Sequence, residues 1–501
     1  MNILLINVPS RKGKGGFFLP LGLLYAAGII ERCGHKAMIV DPYLDDMELK
    51  KFDSGNLNMI RDTIEAFRPS IVGYGGIATS YGRAKILSKY IMGMHPEILQ
   101  IAGGPLASVY KMLLTKTEVD VVFHGEAETS LPHFLKKVED EGNFYGTPGI
   151  SYSDDGRVVT TPPVEQISDL DSIPIPPFHL IDIKRYLLDI EDWLDSYRLT
   201  HKHNSRYDAL IKRIGRRRYY IPIIASRGCT HRCSFCYRHV RGIRQHSVNY
   251  VTRYIKYFKD RYDINGFLFS DELFNPSRQW MFDFCDALDK EKIDIFYLVA
   301  GARVDKIDEG ILTRLRDTGC ISIHYGQESG SDIILREYGK GVTRNQNIDI
   351  TLLTNKMKIF SLVQLVIGSP SETSVTIDET IRFLKDVDAY QYSLNYMIPL
   401  PETPIWKYVE VKSLIKNTEA YLDLVAEHGG SPIVNLTREP DSVWRSWSYR
   451  IRNEVKLHLY RKTNPKLYYF YKIFYKMTDF LAPFIPSGVR KFAPKWIKRV
   501  Y

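Results

Sequence analysis

Over the first 150 residues, short apolar runs of strand length alternate with stretches whose apolar positions recur at helical spacing. Asn2–Val8, Ala37–Asp41, Ile71–Gly75, Leu99–Ala102 and Val119–His124 read as strands. Leu21–Arg32 (stopped by Gly34), Met59–Phe67, Ala84–Met94 and Leu131–Val138 read as the helices between them. This alternation predicts a doubly wound, Rossmann-like parallel sheet of the α/β class, with its ligand beyond the carboxyl ends of the strands. The alternation returns between residues 216 and 400. Six strands are predicted there, at Tyr219–Ala225, Gly266–Phe269, Ile295–Val299, Ile321–Tyr325, Leu362–Ile367 and about Ser393–Met397. Six strand–helix units predict a partial (β/α)6 TIM-type barrel, whose site again lies at the strands' carboxyl ends.

The two patterns are separated by a connector. Asp154-Asp155-Gly156 reads as a hairpin turn, and Pro162-Pro163 and Ile173–Pro177 as extended chain. Lys184–Arg218 is charged and reads as helical, ending in the basic run Arg216-Arg217-Arg218. The expected organisation is a Rossmann-like domain over 1–150, a linker over 151–215, a barrel over 216–440 and a C-terminal helical extension over 441–501.

Composition changes this picture in two places. The chain is 44% hydrophobic, enough for a large core, and its net charge is +10. That charge belongs to the extension, where residues 441–501 hold 14 Lys/Arg against 3 Asp/Glu. The body is therefore close to neutral, which argues against nucleic acid as its partner. The same extension holds 15 aromatics, as in Tyr468–Lys476 and Lys491–Arg499. Interleaved basic and aromatic residues suit a helix docked on the barrel, a membrane interface, or a grip on single-stranded nucleic acid. Six cysteines, three of them in one loop, are no disulfide framework and point to a reducing cytoplasm. Met1–Val8 lacks the basic start of a signal peptide, and no run of eighteen apolar residues predicts a membrane span.

The three clustered cysteines, Cys229, Cys233 and Cys236, have C-x3-C-x2-C spacing and directly follow the first barrel strand. Three thiolates on one loop can hold three irons of a four-iron cluster and leave the fourth iron open. A disulfide with one spare Cys, or zinc completed by His231, His239 or His246, would use the same residues. Cys285 and Cys320 read as buried small hydrophobes. Polar residues gather after the other barrel strands: Ser270-Asp271-Glu272, Arg303 with Asp305, Gly326–Gly330, Gly368–Thr373 and Pro399–Pro404. Each alone reads as a loop cap; together on one rim they predict a site.

The loop resembles the cluster loop of the radical S-adenosylmethionine (SAM) superfamily, including Tyr237 after the third Cys. The resemblance implies that a [4Fe-4S] cluster binds SAM through its open iron, and that one electron then yields a 5′-deoxyadenosyl radical. It places Ser270, Asp271 and Glu272 where relatives bind the SAM amino group, although this is not their Gly-Gly-Glu. It places Arg303 and Glu328 at the SAM carboxylate and ribose, and Gly368 against adenine. The strand ends of the first domain resemble the cobalamin-binding domain of one radical SAM class. The residues concerned are Pro9, Ser10, Tyr74, Gly75, Thr79, Gly103, Gly104, Pro105, Gly125 and Glu126, with Pro20–Tyr25 and Gly34-His35. The class B methyltransferases and the anaerobic Mg-protoporphyrin cyclase are of this kind, and the resemblance runs from Met1 to Pro404. One departure is the missing D-x-H-x-x-G signature, whose His ligates cobalt. Asn7–Gly13 stands in its place, and His35 reads as a turn residue.

What the resemblance implies is cobalamin-dependent methylation of an unactivated carbon in a small hydrophobic, lipid-like or natural-product substrate. A flavodoxin or ferredoxin would be the reductant; the basic aromatic composition of residues 441–501, beyond the reach of the resemblance, has a peripheral membrane contact among its readings. Ring formation, coupling or oxidation fits the same architecture. A radical SAM tRNA methylthiotransferase would carry three further Cys in the first domain, which has only Cys33. A non-catalytic binding module would not need the intact Cys loop.

Overall fold

The computed structural model describes residues 1–10, 19–42, 54–191, 211–212, 214–215, 219–274, 277–389 and 391–481. Strands β1 (Asn2–Asn7), β2 (Lys36–Val40), β3 (Ile71–Gly75), β4 (Leu99–Gly103) and β5 (Val121–Phe123) form a parallel sheet ordered 2-1-3-4-5. Alternate side chains of β1 serve opposite faces. Leu4 and Ile6 join one helix-covered core, and Ile3 and Leu5 join the other. The direction of winding reverses between β1 and β3, so a crevice opens at their carboxyl ends.

The Asp154–Gly156 turn forms, with positive φ at Asp155 and Gly156 as a tight hairpin requires. It is more than connector. Its strands β6 (Ile150–Asp154) and β7 (Arg157–Thr160) add antiparallel to β5 and cover the edge of the first sheet.

The second sheet holds all six predicted parallel strands in chain order. They are β9 (Tyr219–Ile223), β12 (Gly266–Phe269), β13 (Phe296–Ala302), β14 (Cys320–Glu328), β15 (Phe360–Ile367) and β16 (Tyr392–Tyr396), and they curl into an open half-barrel. The expected helix over Lys184–Arg218 is corrected over Lys184–Asp189, whereas Ile190, Glu191, Ile211, Lys212 and Ile214 are helical. A short 3₁₀ turn (Ile183–Tyr186) leads into β8 (Leu188–Asp189), which runs antiparallel along β9. Arg216–Arg218 lie outside the described residues. Near β8, Ile190 and Ile214 pack with Tyr220, Phe296, Leu298, Ile321 and Phe360 at the amino ends of the strands. The Cys loop is closed at its base by an antiparallel hairpin, β10 (Ser226–Gly228) with β11 (Ile243–Gln245). A side chain on Gly228 (φ +86°) would fall 2.3 Å from the Gly242 carbonyl oxygen, so the neck of the loop admits only glycine.

Two C-terminal helices tie the parts together. Thr418–His428 lies within the span expected for the barrel but packs on the first domain. Tyr421, Leu422 and Val425 are buried there, and Glu419 bonds Lys85 at 2.7 Å. Asp441–Thr463 lays Trp444, Trp447, Ile451, Val455 and Leu459, a helical stripe, over β15, β16 and the helix Ser374–Asp386. No described helix is long and apolar enough to cross a membrane.

Candidate active site

The carboxyl ends of β1, β3, β4 and β5 face the start of the Cys loop across a cleft of about 490 Å³. Backbone of Gly75, Gly76, Gly103, Gly104, Pro105 and Gly125 lines one wall; Ser226, Arg227, His239, Ser270, Asp271 and Glu272 line the other. Gly104 (φ +68°) and Gly125 (φ +74°) hold left-handed backbone, which brings main chain rather than side chain to the wall. The cleft runs inward between the sheet and two helices, along Leu5, Leu23, Ile101, Phe123 and Leu131. Side chains on Gly73 and Gly75 would collide with Leu5 and Leu23 at 2.7 and 2.5 Å. The glycine-lined wall lets backbone approach a large flat ligand such as a corrin.

The residues expected at this site meet the cleft unequally. Tyr74 turns its hydroxyl into the core, donating to Gln100 Oε1 at 2.6 Å, and offers the cleft mainly backbone. Pro9, Ser10 and Thr79 do not line the cleft, and Thr79 is buried. His35 is buried 3.9 Å from Glu139, away from the cleft, as a turn residue would be. The imidazole that does line the cleft is His239, which comes from the Cys loop and is held neutral by burial.

Glu126 joins the walls. It is almost fully buried, accepts from Arg227 at 2.9 Å and Arg244 at 2.6 Å, and takes the Ile167 amide at 3.2 Å. Arg227 forks to Glu128 at 2.6 Å and lies over the Tyr25 ring at 4.7 Å. Burial works against the charge of Glu126, but the two guanidiniums outweigh it and hold its carboxyl below the usual range. Arg227 is two residues from Cys229, so the cluster loop is fastened to the first domain.

All three loop cysteines are free thiols. Cys233 and Cys236 lie close enough to share a proton. Donation from Cys236 lowers Cys233 to about 6, and the same contact pushes Cys236 up. Lys340 and Arg303 add positive charge beside Cys233. Among the described residues no three Cys, His, Asp or Glu side chains converge as a single-ion site would need. Zinc asks for thiolates about 2.3 Å from one ion; a four-iron cluster takes each thiolate at a different iron. The loop is pinned to the barrel by Ser234, whose amide donates to Tyr338 O at 3.0 Å and whose carbonyl accepts from Ile405 at 2.9 Å.

The barrel rim places its polar groups around this loop. Glu328, at the end of β14, is buried with φ +62°, a strained backbone for a non-glycine residue. It accepts from Lys340 Nζ at 2.9 Å. For Lys340, burial opposes the charge and the Glu328 carboxylate more than offsets it, so its pKa rises. Arg303 is buried and donates to Asp305 at 2.8 Å. Asp271 spends one oxygen on the Ala225 and Ser226 amides (2.9 and 2.5 Å) and the Ser226 hydroxyl (2.6 Å), which fixes the start of the Cys loop. Its other oxygen is buried without a partner among the described residues, and burial pushes the carboxyl up to about 6. Glu272 is exposed and lines the cleft. Half-buried Tyr237 is pushed up to about 12 by burial, with Glu402 adding to the shift. Gly368 (φ +93°) lies under Trp444, whose Nε1 a side chain there would meet at 2.9 Å. Its amide and that of Ser369 donate to Glu372.

Sequence reasoning missed Arg227, Arg244, Glu128, Lys340 and Glu372. Lys340 had a local signal, standing between Gly339 and Gly341, both with positive φ. Arg227 had only its place ahead of Gly228-Cys229; its partners are about a hundred residues away.

Known proteins share these two domains. The B12 binding domain pattern matches residues 14–135, and the radical SAM superfamily pattern matches residues 223–384. The chain is 26% identical over 428 residues to an uncharacterized methyltransferase of Pyrococcus horikoshii, covering 83% of this chain and 84% of that one. It is 25% identical over 436 residues to the anaerobic magnesium-protoporphyrin IX monomethyl ester cyclase of Rubrivivax gelatinosus, covering 84% and 72%. In fold it is similar to the methyltransferase TsrM from Kitasatospora setae, solved with cobalamin and a [4Fe-4S] cluster (TM-score 0.62, 16% identity, 82% of this chain and 75% of that one). It is also similar to the cobalamin-dependent SAM radical enzyme OxsB (TM-score 0.59, 20% identity), spanning 56% of that longer chain with 84% of its own. The two domains bring a [4Fe-4S] cluster, SAM and cobalamin as cofactors. A cleft lined by both domains, a three-cysteine loop on its rim and these matches place the chain in the radical SAM superfamily, in the class whose barrel is preceded by a B12-binding domain.

Proposed function

We propose that this chain methylates an unactivated carbon of a small hydrophobic substrate. The observation that carries the reading is the single cleft in which the glycine-lined strand ends of the B12-binding domain face the root of the cluster loop. When bound, the cluster with SAM supplies a 5′-deoxyadenosyl radical, and cobalamin supplies methyl transfer. Cys229, Cys233 and Cys236 would hold the cluster, and Lys340 and Arg303 favour the thiolate form of Cys233. Glu328 and Arg303 orient SAM, and Gly368 with its Trp444 backing shapes the adenine wall. Asp271 and Arg227 hold the loop root in place. Ser270 and Glu272 offer polar contacts from the barrel side of the cleft. The apolar lining around Leu5, Ile101 and Phe123 keeps water out.

Radical SAM enzymes act on small molecules and draw electrons from an external reductant; a flavodoxin or ferredoxin fits that part. The free cysteines suit the reducing cytoplasm. Ring formation is the second reading, favoured by the 25% identity with the magnesium-protoporphyrin cyclase over 84% of the chain. Turnover of the reconstituted enzyme with reductant, cobalamin, candidate apolar substrates and methyl-labelled SAM separates the two. Methylation predicts label in a product. Formation of 5′-deoxyadenosine and a product that never carries label contradicts it and favours the second reading.

A further inference from the structure

We infer that the helix Pro465–Leu481 seats the protein on an anionic lipid bilayer. The preceding helix, Asp441–Thr463, spends its tryptophans on the barrel, since Trp444 and Trp447 are each 1% exposed. The last helix turns Tyr471 toward that helix. The Tyr471 ring lies 5.0 Å from that of Tyr460, and Lys456 Nζ stands 4.0 Å above the Tyr471 ring and donates to its hydroxyl. The opposite side carries Lys466, Tyr469, Phe470 and Ile473, whose 3-1-3 spacing makes one helical stripe. Tyr469, Phe470 and Ile473 are 64%, 64% and 62% exposed.

Charge selects the occupant. Between Val455 and Thr478 the sequence has six Lys/Arg and no Asp/Glu. A second copy of the chain would bring two such surfaces together against their own repulsion. Single-stranded RNA would use the rings as stacking platforms but gains nothing from Ile473 or the exposed Leu467. A bilayer with anionic headgroups takes all of them: rings and aliphatics at headgroup depth, lysines on lipid phosphate. Placing the barrel against a membrane would deliver apolar substrates to the enzyme, though the docking itself does not depend on which reaction follows.

Flotation of the full chain with vesicles tests this, using phosphatidylcholine alone and phosphatidylcholine with about 30% phosphatidylglycerol. The expected result is binding to the anionic vesicles, about tenfold weaker to neutral ones and weaker in high salt. Combined Tyr469→Ser, Phe470→Ser and Ile473→Ser should abolish flotation, and Lys466→Glu with Lys472→Glu should lower it about tenfold. Both variants change exposed residues and should keep the wild-type melting temperature. A full chain that stays in the aqueous phase with both vesicles overturns the inference, as does a serine variant that floats like wild type. So does a solution dimer, or retention on polyuridylate, that the same serine variant abolishes without any flotation of the wild type.

Discussion

Arg227 and Glu126 meet at 2.9 Å across the two domains, buried, with Arg244 and Glu128 completing the set of charges. One partner stands at the root of the cluster loop and the other on the turn after β5 that lines the cofactor cleft. Removing one member of a buried ion pair costs about 3–5 kcal/mol, because a charge is left desolvated. Glu126→Gln should therefore lower the urea midpoint and the cobalamin content of the purified protein while leaving its iron content unchanged. Arg227→Lys keeps the charge but cannot fork to two carboxylates, and it should lose cobalamin in the same way.

Lys340 should matter through Glu328. Lys340→Met leaves a buried carboxylate alone on left-handed backbone beside the cysteine loop. SAM affinity is expected to fall at least about tenfold, near the 1.4 kcal/mol that one decade represents. Equilibrium dialysis with SAM reads this, and an unchanged absorption spectrum of the cluster separates lost affinity from lost iron.

Trp444 couples the extension to the site through Gly368. Trp444→Ala empties the space above that glycine and should destabilise the protein by about 3–5 kcal/mol in chemical denaturation. Gly368→Ala fails from the other side, since it meets Trp444 Nε1 at 2.9 Å and must hold φ +93°.

Glu372 predicts a pH dependence. Burial pushes its carboxyl up to about 8, although the Gly368 and Ser369 amides favour the ionised form. The unfolded carboxyl ionises near about 4.3. Between these values the folded chain holds a proton that the unfolded chain has released. The stabilisation is therefore fully present below the lower value and is lost as pH rises through the upper one. Stability should fall by up to about 1.4 kcal/mol per pH unit across that window. Glu372→Gln should flatten the slope in denaturation midpoints measured from pH 5 to 8.

Ile71–Gly75 was legible as a continuous apolar run buried on both faces, and Leu362–Ile367 as a largely apolar run whose alternate residues Val363, Leu365 and Ile367 are buried. The Cys loop was legible because its chemistry is packed into eight residues, Cys229–Cys236. The clamp was not: Arg227 meets Glu126 across 101 residues, and no local period encodes such a meeting. Thr79, Pro9 and Ser10 were drawn in by their neighbourhood at strand ends, and a turn's sequence does not say which of its side chains face inward. The Trp444–Leu459 stripe was present in the sequence at helical spacing, but the basic residues between its members suggested a lipid or nucleic-acid surface as readily as a docked one.

The most direct measurement counts metals in anaerobically purified protein supplied with cobalamin. The account predicts about four irons and one cobalt per chain, with the iron lost and the cobalt kept in Cys233→Ala. Iron without cobalt, or cobalt lost together with the iron in Cys233→Ala, would contradict a cofactor cleft whose two walls bind separate groups.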